Sequence, residues 1–323
     1  MERQGCAYAR NRGDEGHIRL DGIHHVTCIT ADALRNLDFY TRVLGLRLVK
    51  KTVNQDNPNV YHLFYGDEHG SPGADITFFE MRDAQHGRAG AGMVHRVVWR
   101  VDSTEAVDFW TQRLQAEGVA QSGGSEQLRF TDPDGLAHEI SPVDTDETPL
   151  TAEHPDIPSL FALQGFDGVR AYASTPATSR SFLETVLGFQ ATAEPGVWRI
   201  AGPTRSAFYA YDAPPPESPL RGAGTVHHVA FSTEGSDQDL WHERVAQSPA
   251  DPSPSIDRFW FKSIYVREPS GVLFELATKG PGFTVDEPVD SLGERLTLPP
   301  SFEPMRKEIE RGLTRLPDPR ARR

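Results

Sequence analysis

From Gly22 the chain runs apolar through Ile23-His24-His25-Val26. It then takes up a helical rhythm, with Leu34, Leu37, Tyr40, Val43 and Leu44 on one face and Gly45 placed to end the helix. The same layout returns at Gly165-Phe166-Asp167-Gly168-Val169, where Phe182 and Val186-Leu187-Gly188 fall as Phe39 and Val43-Leu44-Gly45 did. Two units of another flavour complete the set. Met93-Val94-His95-Arg96-Val97-Val98-Trp99 matches Thr225-Val226-His227-His228-Val229-Ala230-Phe231, and each leads into a helix pattern carrying Trp110 or Trp241. Both finish on a Pro/Gly turn between strands: Asp132-Pro133-Asp134-Gly135 before Leu136 to Ile140, and Glu268-Pro269-Ser270-Gly271 before Val272 to Leu276. Glu139 and Glu275 then occupy equivalent places.

Four units of strand, helix and three strands predict an α+β fold of four βαβββ modules. One module is too small to bury both faces of a curved sheet, so the modules are expected to pair into two barrel-like cups. Along the chain, residues 1–20 read as a disordered leader and 21–145 as an N-terminal domain of modules 1 and 2. Residues 146–162 read as a Pro/Asp/Glu-rich linker and 163–280 as a C-terminal domain of modules 3 and 4. Residues 281–323 form an extension with a short helix around Met305 to Leu313.

Composition narrows the function. In 323 residues, 33 basic against 46 acidic side chains leave a net charge of −13, which disfavours nucleic acid or an anionic membrane as partner. No apolar run approaches a membrane span and the charged start lacks a signal-peptide core, so a cytoplasmic protein working on a small molecule is expected. With only Cys6 and Cys28, any metal site must use His and carboxylates.

Ligand-type residues are spread unevenly over the repeat. Modules 1 and 4 carry His25 and His228 where modules 2 and 3 carry Arg96 and Gly168. If modules 1 and 4 share a cup, His25, His228 and Glu275 converge there, while Arg96, Gly168 and Glu139 make a duplicate unfit for metal. Two imidazoles and one carboxylate on one face of a metal leave positions open for substrate and oxygen, the pattern of non-haem Fe(II) sites; zinc more usually takes four ligands. Period-two alternation sends His24 and His25 to opposite faces, and likewise His227 and His228, so one of each pair is expected to face the cup. Glu80, ending a strand of module 1, is a candidate fourth ligand, and His62 reads as structural.

These residues resemble the vicinal oxygen chelate superfamily of glyoxalases, bleomycin-resistance proteins and extradiol dioxygenases, and within it the ring-cleaving dioxygenases that act on hydroquinones. The likeness rests on Gly22-Ile23-His24-His25-Val26-Thr27, Val226-His227-His228-Val229-Ala230-Phe231 and Ile264 to Glu275. Asn59 to Leu63, Gly70 to Gly73 and Gly282 to Glu287 extend it over nearly the whole chain. It implies Fe(II), with Mn(II) as a possible substitute, held by His25, His228 and Glu275, and a small aromatic substrate with O2 as co-substrate. It also implies that His24, Thr27, His227, Arg258 and Tyr265 surround the substrate: His227 and Tyr265 would handle the hydroxyl proton and Arg258 would stabilise anionic oxygen. A catechol-type substrate ranks after a hydroquinone. A glyoxalase-type isomerase or lyase with four protein ligands is the rival activity, and a homo-oligomer is compatible with the sequence.

Overall fold

The computed structural model describes residues 18–320; the leader expectation falls mostly on residues outside these. Module 1 supplies β1 (Ile23–Thr30), β2 (Arg47–Asn54), β3 (Asn57–Gly66) and β4 (Asp75–Glu80), with α1 (Ala33–Asp38) after its first strand. Module 2 supplies β5 (Met93–Val101), α2 (Thr104–Ala116), β6 (Gln121–Gly124), β7 (Gln127–Thr131) and β8 (Ala137–Pro142). Module 3 supplies β9 (Phe166–Tyr172), β10 (Gln190–Ala191), β11 (Val197–Ala201) and β12 (Ser206–Asp212). Module 4 supplies β13 (Val226–Thr233), α3 (Gln238–Ala246), β14 (Ile256–Asp257), β15 (Lys262–Arg267) and β16 (Leu273–Thr278); the extension adds α4 (Arg306–Gly312).

The strands form two eight-stranded sheets ordered β14-β15-β16-β13-β1-β4-β3-β2 and β10-β11-β12-β9-β5-β8-β7-β6. Module 1 is therefore joined to module 4, and module 2 to module 3, so each sheet draws on chain from both sides of the 146–162 segment. In the middle of each sheet the two first strands run antiparallel, β1 with β13 and β5 with β9, and each lies parallel to the last strand of its own module.

Helix geometry differs from the simple period in one respect. After six residues α1 opens into a π turn over Phe39–Val43, and module 3 repeats this at Phe182–Val186. Leu37, Tyr40, Val43 and Leu44 are buried as the pattern predicts, whereas Leu34, in the first turn of α1, is 46% exposed. Asp32 caps α1 by accepting from the amides of Leu34 and Arg35. Gly45 and Gly188 end the two turns at φ +70° and +75°, as their positions in the repeat predict. Trp110 and Trp241 are fully buried under their sheets.

Where the sheets meet, module 1 is tied to the Pro/Gly turn of module 2. Tyr40 donates to Asp132 Oδ2 at 3.0 Å, and Arg35 pairs with Asp134 at 2.6 Å. Asp132 Oδ1 accepts from the amides of Asp134 and Leu136. Burial pushes the Asp132 carboxyl up from 3.8 to about 7 even against those bonds. A proton held more tightly by the folded than by the unfolded chain adds stability at low pH, and that contribution disappears as pH rises toward the folded value. Asp132→Asn is therefore expected to lose less stability than the parent between about pH 4 and pH 7.5. Urea-unfolding midpoints at the two pH values check this, and equal losses in both proteins would contradict it.

Candidate metal centre

The β1–β13 seam builds the site by breaking its own alternation. Ile23 faces Phe231 and His25 faces Ala230, so His24 is an extra residue; Thr27 faces His228 and Cys28 faces Val226, so His227 is another. These are β-bulges, which re-aim side chains. The β5–β9 seam has the same two slips, at His95 and Asp167. The expectation that only one residue of each His pair faces the cup is therefore corrected for His227 and His228, while of the first pair His25 alone lines it. His227 and His228 line one cavity together, and the His24 ring stands edge-on to His25 with centroids 5.0 Å apart.

His25 Nε2, His228 Nε2 and a Glu275 oxygen come together as a possible metal-holding group, all three residues buried. Glu275 Oε2 is 2.8 Å from His228 Nε2 and 3.3 Å from His25 Nε2, and the two imidazole nitrogens are 3.3 Å apart. Ser263 donates to the other carboxylate oxygen at 2.5 Å.

The tautomers follow from the partners behind the ligands. His24 Nε2 lies 3.2 Å from the Thr278 carbonyl, which can only accept, so His24 carries its proton there and offers a lone pair at Nδ1. Burial, with the adjacent His25 adding to it, lowers the His24 pKa to about 3 and keeps it neutral. His25 Nδ1, 2.9 Å from that lone pair, must be the donor, which leaves its Nε2 lone pair facing the site. The repeat places His227 Nδ1 2.8 Å from His228 Nδ1 in the same way.

Three lone-pair atoms within 3.3 Å of each other require a positive charge among them. A proton on His228 is a poor answer, because burial lowers that imidazole's pKa. Burial would push the Glu275 carboxyl up, and what brings it well below the usual range is positive charge and N–H donation from the direction of His25 and His228, the place a cation among the three atoms would fill. Oε2 is also buried without a well-formed hydrogen bond. The donor set fits a divalent cation bound by two nitrogens and one oxygen.

Glu80 does not join this group. Its carboxylate accepts from the amide of Ala33 at the start of α1 and from the Thr314 hydroxyl, and it stands opposite Thr30 rather than beside His25. Register identifies the true counterpart of Glu275. Glu275 faces Ala230, two residues after His228, and Thr77 faces Thr27, two residues after His25. The fourth symmetric position is thus a threonine, whose hydroxyl donates to Thr27 at 2.8 Å and meets His62 Nε2 at 2.9 Å.

The site lies in a cavity of about 320 Å³. Phe64, Phe79, Trp260 and Phe261 provide aromatic walls, with His227, Arg258 and Tyr265 as polar groups. Burial, with His228 second, lowers the His227 pKa to about 3. Burial also pushes the Tyr265 phenol up. The Arg258 guanidinium sits 5.5 Å over the Tyr265 ring and pairs with Asp56 at 3.1 Å. The next residue, Phe259, takes φ +73°, a conformation unfavourable for a side chain this size, in the tight turn that presents Arg258 and Trp260. His24 and Thr27 do not line the cavity; they stand behind His25 and Thr77. His62, read from sequence as structural, does line it, wedged between Phe64 and Phe79 at ring distances of 4.0 and 4.4 Å. Period-two spacing between His62 and Phe64 is the one sequence signal for that placement.

In the second sheet the corresponding positions close on themselves. Arg96 pairs with Glu139 at 3.0 Å, and Arg129 and Gln127 take up the rest of that carboxylate. Gly168 is covered by Phe208.

With this geometry in place, the comparisons agree on the class. The Glyoxalase/Bleomycin resistance protein/Dioxygenase superfamily model matches residues 22–140 and 165–276, and the chain belongs to that superfamily. It is 38% identical over 315 residues to the Bacillus subtilis (strain 168) protein named "Putative ring-cleaving dioxygenase MhqA", covering 92% of this chain and 99% of that one. It is 32% identical over 316 residues to the "Chlorohydroquinone/hydroquinone 1,2-dioxygenase" of Sphingobium indicum, covering 91% and 96%. A crystal structure from Bacillus subtilis with "dioxygenase" in its description superposes with a TM-score of 0.86 at 36% identity, covering 93% of this chain and 98% of that one. Among the described residues no helix is long and apolar enough to cross a membrane.

Loss of one donor from a three-donor site is expected to leave the cation poorly held. Glu275→Gln should lower bound metal per chain by at least about tenfold and abolish the fall in Tm that chelation causes in the parent. Elemental analysis and thermal unfolding check both, and unchanged metal content would remove Glu275 from the ligand set.

Proposed function

We propose that this protein is a ring-cleaving dioxygenase that uses Fe(II), with Mn(II) as a possible substitute, to insert both atoms of O2 into a hydroquinone-type substrate, with catechols ranking second. The observation that carries this reading is a three-donor site, His25, His228 and Glu275, whose fourth symmetric position is Thr77 rather than a carboxylate. Three protein ligands leave room for two small molecules, whereas the rival glyoxalase-type isomerase is expected to use four. When bound, the metal supplies the redox chemistry by which O2 reacts with the ring.

The chain's own residues then have separable tasks. Phe64, Phe79, Trp260 and Phe261 hold the flat faces of a ring and keep water out, and a volume near the lower end for small-ligand sites suits a single-ring substrate. His24 and His227 orient the two ligand imidazoles through their Nδ1 contacts. His227, accepting from His228 at Nδ1, keeps its proton at Nε2 on the cavity side, where it can donate to a substrate oxygen. Arg258, over Tyr265, offers a fixed positive charge to an oxygen that becomes anionic. Hydroquinone plus O2 gives one ring-opened molecule containing all atoms of both. One bond between a hydroxyl-bearing carbon and its neighbour is lost, and those carbons become a carboxyl group and an aldehyde.

Oxygen uptake by Fe(II)-loaded protein with a panel of hydroquinones and catechols tests the proposal. The expected result is one O2 consumed per substrate, a product heavier by two oxygen atoms, and loss of uptake in Glu275→Gln. No uptake with any member of the panel, despite one bound iron per chain, would overturn it.

A further inference from the structure

The cavity over the triad has a neighbour. A second cavity of about 390 Å³ lies where the starts of β5 and β13 approach each other, and it shares His227, His228 and Leu273 with the first. The same histidines are therefore a wall common to both spaces. The floor forms because two glycines let the chain pass closely: a Cβ on Gly92, at φ +80°, would lie 3.1 Å from the Ser270 carbonyl oxygen and 3.3 Å from the Gly271 Cα.

The two spaces differ in charge. In the first, Arg258 is the one guanidinium, and the exposed Asp56 partly offsets its charge. The second is lined by Arg221 and Arg267, and among the described residues neither has a carboxylate in ion-pair range. Arg267 is held in place by donating to the Gly271 carbonyl at 2.6 Å. Between the arginines and the shared wall, Val94, Val226 and Val272 give an apolar lining. On a chain of net charge −13, two cations without counter-ions facing one concave, partly apolar space form a local positive field suited to a small anion with a carbon chain.

We propose that this second cavity binds the carboxylate of a ring-opened acid and is the product side of the centre. The identity of the ligand rests on the dioxygenase reading, since ring cleavage turns an uncharged phenol into a carboxylate. The uncharged substrate suits the aromatic cavity, and the anion formed beside His227 and His228 finds its cations on the other face of that wall. Arg221 and Arg267 hold the carboxylate as it leaves, and the valines hold the carbon chain.

The probe is cis,cis-muconate, a six-carbon unsaturated dicarboxylate, titrated calorimetrically into the protein as purified and again after chelation. Expected are binding in both preparations that weakens with salt, and a drop in affinity of about tenfold or more in Arg221→Gln/Arg267→Gln, with thermal unfolding confirming that the variant is folded. Absence of binding to the parent would overturn the proposal. So would binding that persists in the double variant and is lost in Arg258→Gln, because the anion would then occupy the aromatic cavity. Acetate binding as tightly as muconate would also overturn it, since a carbon-chain site would then be unnecessary. Muconate binding that depends on both arginines, in a protein that consumes no O2 with any phenol, would keep the carboxylate site and dismiss the dioxygenase reading.

Discussion

Antiparallel pairing of β1 with β13 is the constraint from which the centre follows. It joins strands about two hundred residues apart and brings His25 within 3.3 Å of His228. Such a contact gives nothing until the loop between is closed, so it is favoured only once the intervening chain has folded. Backbone bonds continue the seam at both ends, from Asp21 to Ser232 and from Ile29 to Thr225. His228 and Glu275 already meet within module 4, but His25 joins them only across this seam, so the complete donor group and the completed sheet form together.

The second sheet shows what the same frame does with other side chains. Its bulges fall at equivalent positions and its carboxylate, Glu139, occupies the place of Glu275. There Arg96 brings its own charge to the carboxylate, and the position is electrically complete. Where His228 replaces arginine, a buried carboxylate faces two lone pairs and calls for an external cation. Two exchanges, a permanently charged guanidinium (Arg96) for an imidazole that burial keeps neutral (His228) and a glycine (Gly168) for a second imidazole (His25), separate an ion-paired wall from a candidate metal centre.

The segment after the repeat supports the working cup. Phe283 packs against Phe64 and Trp260, while the buried Lys50 pairs with Asp286 and Glu287 and lies 5.2 Å from the Trp260 ring. Trp260 in turn donates to Asp286 at 3.0 Å. Residues outside the four modules thus hold two aromatic walls of the cavity, and Tyr61 bonds the Thr314 carbonyl to fasten the end of the extension over module 1.

Much of this was legible in the sequence because repetition compares the chain with itself. The recurring Gly45 and Gly188, the matched Pro/Gly turns and the survival of His25, His228 and Glu275 at equivalent places point to four modules and one metal-ready cup without knowledge of any contact. What stayed hidden depends on a partner strand. A bulge is a mismatch in residue count between two strands, so the placement of His227 beside His228 on the cavity could not be read from either strand alone, and strict alternation put the two on opposite faces. Glu80 looked like a ligand by type, but the register of β4 against β1 gives that place to Thr77; His62 looked structural until β3 closed the cavity beside β4. The sequence by itself determined which side chains could bind a cation, because chemistry belongs to residue type and its position in the repeat. The tertiary structure decided which of them meet and which atom each offers, because distance and tautomer are properties of pairs of strands rather than of a strand.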